Sequence, residues 1–306
     1  MDDSVVATIP DDDHLLGPFL GKLPPEILDV VVKDLGWFQT TFASAGKACR
    51  DTVKRVPDKR VVPKLTCMNA ALGGHLEVLK WARQNGCPWN EETCAAAAYK
   101  GHLEVLQWAR QHGCEWNQAT CAKAELGGHL EILKWARRNG CPWDVTTCMF
   151  AAQGGHLEVL QWARQNGCPW NAMTPWAAAE RGHLEVLQWA RQHGCEWYVN
   201  VCTAAAGGGQ LEALRWARRN GCPWDEWTCT YAARHGQLEV LQWARQNGCP
   251  WNEETCANAA LGGHLEVLRW AHQNGCSLGE RTRTAAARGG HSEVLEWLRQ
   301  NVRSST

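Results

Sequence analysis

Residues 86–112 read GCPWNEETCAAAAYKGHLEVLQWARQH, and a near copy of this stretch follows every 27 residues. The Gly-His step recurs with His or Gln at 75, 102, 129, 156, 183, 210, 237, 264 and 291. A fixed period of this size marks a repeat array, in which each unit touches only its neighbours and cannot bury its apolar surface alone. Nine units run toward the C-terminus, the first without its GCPW lead.

Each unit predicts two short helices. Helix A begins near Thr93, runs through the alanine-rich stretch to Tyr99 and stops at Gly101. Helix B begins at His102 and runs through LEVLQWARQ to Gly113, a suitable helix stop. Glu104 falls in the first turn of helix B, where a negative charge meets the positive end of the helix dipole. The CPWN segment connects to the next unit, and its proline cannot continue a helix. On a helical wheel Leu76, Val78, Leu79, Trp81 and Ala82 sweep a wide apolar sector and leave Glu77, Lys80 and Gln84 for water. So wide a sector needs neighbours on both flanks, as stacking supplies.

Composition narrows the function. The chain has 306 residues, 45% of them hydrophobic and 21% charged, with a formal net charge of -1. That balance argues against a protein built to grip nucleic acid or an anionic membrane. No apolar run approaches the roughly 20 residues of a membrane span, and no secretory signal opens the chain. The expectation is a soluble monomer of the cytoplasm, or of the nucleus.

Two counts are unusual, 19 Trp and 16 Cys. Eight cysteines follow the glycine after helix B, from Cys87 to Cys276, and seven lie on helix A, among them Cys67, Cys94 and Cys121. No C-x-x-C pair occurs, so a zinc-ribbon spacing is missing and no metal or cofactor is expected. The thiols read as small, buried, reduced packing groups. Gln replaces the repeated His at 210 and 237. Gln can hydrogen-bond but cannot titrate, so the position serves bonding geometry rather than acid–base chemistry. There is no G-x-S-x-G, no Walker loop and no H-E-x-x-H, and the chain is not expected to be an enzyme.

The string T-x-x-A-A…G-H-L-E-V-L-x-W-A-R-x-x-G resembles the ankyrin repeat, and Thr174-Pro175 reproduces that family's Thr-Pro in one unit. Family repeats are longer, and most of the missing length falls where their protruding hairpin lies. The resemblance is strongest to the Trp- and Cys-rich ankyrin-like repeats of giant DNA viruses, algae and oomycetes, which would place the protein in a host cytoplasm if it is viral. It implies an all-α fold: a right-handed helical-repeat solenoid of nine helix pairs over residues 60–303.

Comparing the nine copies with one another separates two faces of helix A. Counted from the glycine before Cys, offsets 7, 8, 11 and 12 stay small, while offsets 6, 9, 10 and 13 vary. The two sets lie on opposite sides of the helix. The variable set carries Tyr99, Lys123, Met149, Phe150, Trp176, Glu180, Trp227, Tyr231, Arg234 and Asn258. Aromatic residues, Met and Arg are the types favoured at protein-binding hot spots, so this face is the candidate site for an unknown target protein.

Residues 1–19, with Asp11-Asp12-Asp13, read as a disordered lead. Residues 20–56 lie outside the 27-residue register. The run LPPEILDVVVKDLGWFQTTFASAGKACRDTV, from Leu23 to Val53, resembles the F-box in its Leu-Pro-x-Glu-Ile-Leu start, its apolar Val31 and Leu35, and its late Ala48-Cys49-Arg50. The resemblance implies helices that dock a Skp-type adaptor through Leu23, Pro24, Glu26, Ile27, Leu28, Val31, Leu35, Cys49 and Arg50, within an SCF-type, cullin-based ubiquitin ligase. The same apolar helices would also serve as a plain cap for the stack. Residues 135–306 contain no lysine. A ligase receptor would thereby escape self-modification, though a codon bias toward arginine is the simpler cause.

Overall fold

The computed structural model describes residues 64–84 and 86–302. The lead at 1–19 and the F-box-like segment at 20–56 lie outside them. The described residues form eighteen helices and no strand, in nine A/B pairs. The A-helices are α1 (Lys64–Leu72), α3 (Glu91–Tyr99), α5 (Gln118–Leu126), α7 (Val145–Gly154), α9 (Met173–Arg181), α11 (Val199–Gly207), α13 (Glu226–Arg234), α15 (Glu253–Leu261) and α17 (Glu280–Gly289). The B-helices are α2 (Leu76–Gln84), α4 (Leu103–Gln111), α6 (Leu130–Arg138), α8 (Leu157–Gln165), α10 (Leu184–Gln192), α12 (Leu211–Arg219), α14 (Leu238–Gln246), α16 (Leu265–Gln273) and α18 (Ser292–Val302).

The chain divides into two compact units, residues 1–120 and 121–306. In the first, α1 packs on α3 and each A-helix packs on its own B-helix. In the second, the A-helices stack in sequence from α7 to α17, again each with its own B-helix. Both units are helical-repeat stacks. The side chains between A-helices are small. Thr93, Cys94, Ala97 and Ala98 are all buried, as are their equivalents Thr255, Cys256, Ala259 and Ala260. Side chains this short let two helix backbones approach closely. The B-helices contribute Val, Leu and Ala to the same core, with the leucine from Leu79 to Leu268 fully enclosed in each of the first eight repeats.

Two helix boundaries differ from the sequence expectation. Helix α3 starts at Glu91 rather than near Thr93, because Asn90 caps it: the Asn90 side chain accepts the Glu92 amide at 3.2 Å. The last residue of each CPWN connector thus opens the next helix, and Asp144, Asn171, Asp225 and Asn252 do the same. Helix α4 starts at Leu103, with His102 as the residue before it at φ -86 and ψ 72, outside the helical region.

That non-helical backbone frees the histidine to reach backward. His102 Nε2–H donates to the Leu72 carbonyl at 3.1 Å in the first unit. In the second, His156 reaches Leu126 at 3.1 Å, His183 reaches Gln153 at 3.0 Å and His291 reaches Leu261 at 3.0 Å. Each bond ties the start of a B-helix to the C-terminal end of the preceding repeat's A-helix, whose last carbonyls have no partner of their own. Gln210 departs from this pattern and donates to the Gly208 carbonyl of its own turn at 2.9 Å.

A second tie runs through the connectors. Arg83 donates to the Cys87 carbonyl at 2.6 Å, and its guanidinium lies 4.1 Å from the centre of the Trp89 ring. The ring in turn meets Trp108 of the next B-helix edge-on at 5.7 Å. Arg218, Trp224 and Trp243 repeat the arrangement in the second unit, with ring centres 5.9 Å apart. Most of the tryptophans therefore belong to the joints between repeats and are only half-buried.

Glycines at two places in each repeat take positive φ, for different reasons. Gly155 (φ 75) ends the A-helix turn, and a Cβ there would meet the pinned His183 ring at 2.5 Å. Gly167 (φ 82) follows a B-helix and a Cβ there would meet nothing within 4 Å. Gly167→Ala should therefore cost only the left-handed backbone penalty of about 1–2 kcal/mol. Gly155→Ala should cost distinctly more and displace the His183 bridge. Urea denaturation of both variants, which should rank them in that order, checks this.

Candidate protein-interaction surface

The outward side of the A-helices is built by what their inward side excludes. With offsets 7, 8, 11 and 12 buried in most repeats, the larger side chains at offsets 6, 10 and 13 project away from the stack, while the small Ala177 and Ala204 at offset 10 are buried. Trp227 and Tyr231 lie one turn apart on α13, edge-on with ring centres 6.4 Å apart, and are 51% and 42% exposed. The cap that starts this helix, Asp225 accepting the Trp227 amide at 3.1 Å, fixes where the indole emerges. Tyr231 continues to His235, with ring centres 6.2 Å apart. A Cβ at Gly207 of the adjacent α11 would make only ordinary van der Waals contact with both rings, at 3.5 Å. Burial, then the neighbouring Arg234, holds the His235 imidazole below its ordinary range, so it is neutral at pH 7. Arg234 is exposed beside it. Trp227, Tyr231, Arg234 and His235 thus form an aromatic ledge with one cation.

The remaining residues singled out from the sequence fare differently. None is fully buried. Tyr99, Lys123, Met149, Phe150, Trp176, Glu180 and Asn258 are half-exposed. Lys123 lies over the Phe150 ring at 5.8 Å, joining α5 to α7 within the second unit. Glu180 pairs with Arg181 at 4.0 Å. Asn258 spends its amide on the Glu254 carbonyl of its own helix at 2.9 Å. Offset 9 is mixed: Ala95, Ala122, Thr230 and Ala257 are buried there, while Met149, Trp176 and Thr203 are half-exposed and Thr284 is exposed.

Other exposed groups were not apparent from helix A alone. Tyr198 stands in the connector at the capping position taken elsewhere by Asn or Asp, is exposed, and donates its hydroxyl to Glu196 at 2.7 Å. Met173 is exposed in the first turn of α9. On the B-helix side of the second unit an open cavity of about 430 Å³ is lined by Gln161, Arg164, Gln165, Trp170, Trp189 and His193. Its walls are the same Arg–Trp–Trp joint found in other repeats, with His193 stacked on Trp189 at 4.3 Å. Among the described residues no group of three or more His, Cys, Asp or Glu could hold a metal ion, and no helix is long and apolar enough to cross a membrane.

Ankyrin repeats (many copies) is the family model that matches the chain, over residues 94–164. No curated protein matches. Among solved structures the chain is similar to the human ASB11 ankyrin repeat domain, at 18% identity and a TM-score of 0.42, covering 51% of this chain and 84% of that one. The family-model match supports ankyrin repeats over residues 94–164, and ankyrin repeats are in general a non-enzymatic module through which proteins bind protein partners.

One core residue breaks the repeat rule. Glu125 occupies the position of Ala98 and Ala152, is fully buried, and neither of its carboxyl oxygens meets a hydrogen-bond partner among the described residues. Burial, with a further contribution from Cys168, holds its carboxyl well above the ordinary value of 4.5. The folded chain therefore keeps a proton that the unfolded chain releases, so folding loses stability as pH rises above about 4.5. Glu125→Ala restores the local register. It should raise stability at pH 7 by about 1–3 kcal/mol and should gain little at pH 4. Urea midpoints of both proteins across that pH range check the direction.

Proposed function

We propose that the chain is a non-enzymatic adaptor that holds a target protein on the outward face of its A-helices and brings it to an SCF-type ubiquitin ligase through residues 20–56. The observation that carries the capture step is the exposed Trp227–Tyr231 ledge. Two large aromatic rings left about half in water lose apolar hydration only when a partner covers them. Arg234 beside them supplies a directional polar contact of the kind that fixes orientation. The ligase step is supported by the resemblance of Leu23–Val53 to the F-box. There Leu23, Pro24, Ile27 and Leu28 would enter the adaptor, and no chemistry is asked of this chain. The simpler reading, a plain ankyrin-repeat scaffold whose N-terminal helices only cap the stack, shares the capture step and lacks the ligase.

Purified Skp-type adaptor should be retained by the intact protein and lost with the Leu23→Ala/Pro24→Ala double substitution. Equal, poor retention of both sinks the ligase reading and leaves the scaffold. The capture step is tested separately by crosslinking and mass spectrometry in native extract. A target joined to the wild-type protein should be lost from Trp227→Ala/Tyr231→Ala. Removing two hot-spot aromatics costs at least about 2 kcal/mol of binding, roughly 30-fold. The thermal midpoint of that variant should stay unchanged, because neither ring contributes to the core.

A further inference from the structure

The buried cysteines form a second repeating device that interaction with a partner does not require. All fifteen cysteines in the described residues are buried and none is in a disulfide. Fourteen of them stand in pairs, each joining an A-helix cysteine to the cysteine 20 residues later, after the same repeat's B-helix. In the first unit the Cys94 thiol hydrogen-bonds the Cys114 thiol and lies 4.0 Å from the Cys114 carbonyl. The Cys114 thiol in turn donates to the Asn90 carbonyl at 3.2 Å. In the second unit Cys148 and Cys168 stand in the same relation, with Cys168 donating to the Asp144 carbonyl at 3.6 Å. Cys202 lies 3.9 Å from the Cys222 carbonyl in the same way, and a thiol-to-thiol hydrogen bond joins each of the seven pairs from Cys67–Cys87 to Cys256–Cys276.

The protein contains its own control. Cys195 has the connector position but no thiol opposite it, because Pro175 occupies the residue 20 positions earlier. It keeps the bond to the connector, donating to the Asn171 carbonyl at 3.4 Å, and burial pushes its thiol up to about 11. At Cys87, Cys114, Cys168, Cys222 and Cys276, where a partner thiol is present, the connector cysteine moves the other way. The hydrogen bond from Cys94 holds Cys114 below its ordinary range, and that from Cys148 does the same for Cys168.

We propose that each pair is a modification site, a dithiol that a low-molecular-weight disulfide converts to an intrarepeat disulfide. The connector thiol gives up its proton, and its thiolate attacks one sulfur of the reagent. The reagent's S–S bond breaks, and one half leaves as a thiolate that takes up a proton. The A-helix thiol, deprotonated in turn, attacks the connector sulfur of the mixed disulfide and expels the second half as a thiol. One S–S bond forms in the protein and one breaks in the reagent. Two electrons and two protons pass to it, giving two small thiols. Because the thiols are enclosed, attack requires the repeat to open locally, as single repeats of a stacked array do below global unfolding. The new bond ties each A-helix to the turn after its own B-helix and crosses no repeat boundary. It closes a short loop and restricts the unfolded chain, so the oxidised protein resists denaturant better than the reduced one.

The experiment uses the full chain and glutathione disulfide. The folded protein is incubated at neutral pH, remaining thiols are alkylated, and peptides are mapped without reduction. Links between cysteines 20 residues apart are expected, each with loss of two hydrogens. Cys195 should be found alkylated or carrying glutathione, and the urea midpoint should rise and return with dithiothreitol. Pro175→Cys should add a link to Cys195. Cys148→Ser should leave Cys168 carrying only glutathione, which keeps the test open if the first variant does not fold by circular dichroism. Thiols that stay alkylatable until urea unfolds the chain, or links in any other register, overturn the proposal.

Discussion

A hydrogen bond from one repeat's imidazole to the last turn of the previous repeat's A-helix is the constraint on which the rest depends. An A-helix of nine residues leaves carbonyls at its C-terminal end without intrahelical partners. His102, His156, His183 and His291 answer Leu72, Leu126, Gln153 and Leu261 from one repeat further on. The bond requires several other features, which the Gln210 turn shares without making it. The histidine must sit before its helix with a non-helical backbone, the glycine ahead of it must turn with positive φ, and the A-helix register must stay constant so that the carbonyl arrives in place. A repeat removed from the stack loses its donor or its acceptor, and with it the reason for its own turn.

The second joint works on the connector. The cysteine that follows a B-helix sits, at Cys114 for example, under three claims at once. An arginine one turn earlier takes its carbonyl, its thiol reaches the capping residue's carbonyl, and a thiol from the A-helix reaches its sulfur. The same arginine lies over the connector tryptophan. With both ends of each repeat held in this way, the A-helix needs no large core side chain, and alanine, threonine and cysteine suffice between neighbouring helices. The residues facing outward are then under no packing demand. This is why Trp227, Tyr231 and Arg234 can replace the Glu92, Ala96 and Tyr99 of another repeat without disturbing the fold.

The limits of the outward face are equally physical. Offset 9 varies in sequence from alanine to tryptophan, yet Ala95, Ala122, Thr230 and Ala257 there are buried. Trp176 is tolerated by lying half against its neighbours, so sequence variation alone overstates how much of it a partner could touch. Glu125 is the opposite case: a position held by alanine in the flanking repeats takes a carboxyl group that finds no partner.

The 27-residue period, the two helices per unit, the glycine stops and the division of helix A into a small face and a variable face were all legible in the sequence. Each rests on local periodicity, and a repeated period compares every position with eight others. Three things waited for the tertiary structure. The capping role of Asn90 and its equivalents moved the helix start by two residues, because a cap is defined by where a side-chain oxygen points. The histidine's partner lies 30 residues back, and the thiol pairs bring together cysteines 20 residues apart; neither separation matches the repeat period, so spacing did not reveal them. Which of the variable side chains reach water was decided only by how closely neighbouring A-helices approach, a distance set by the alanine, threonine and cysteine between them.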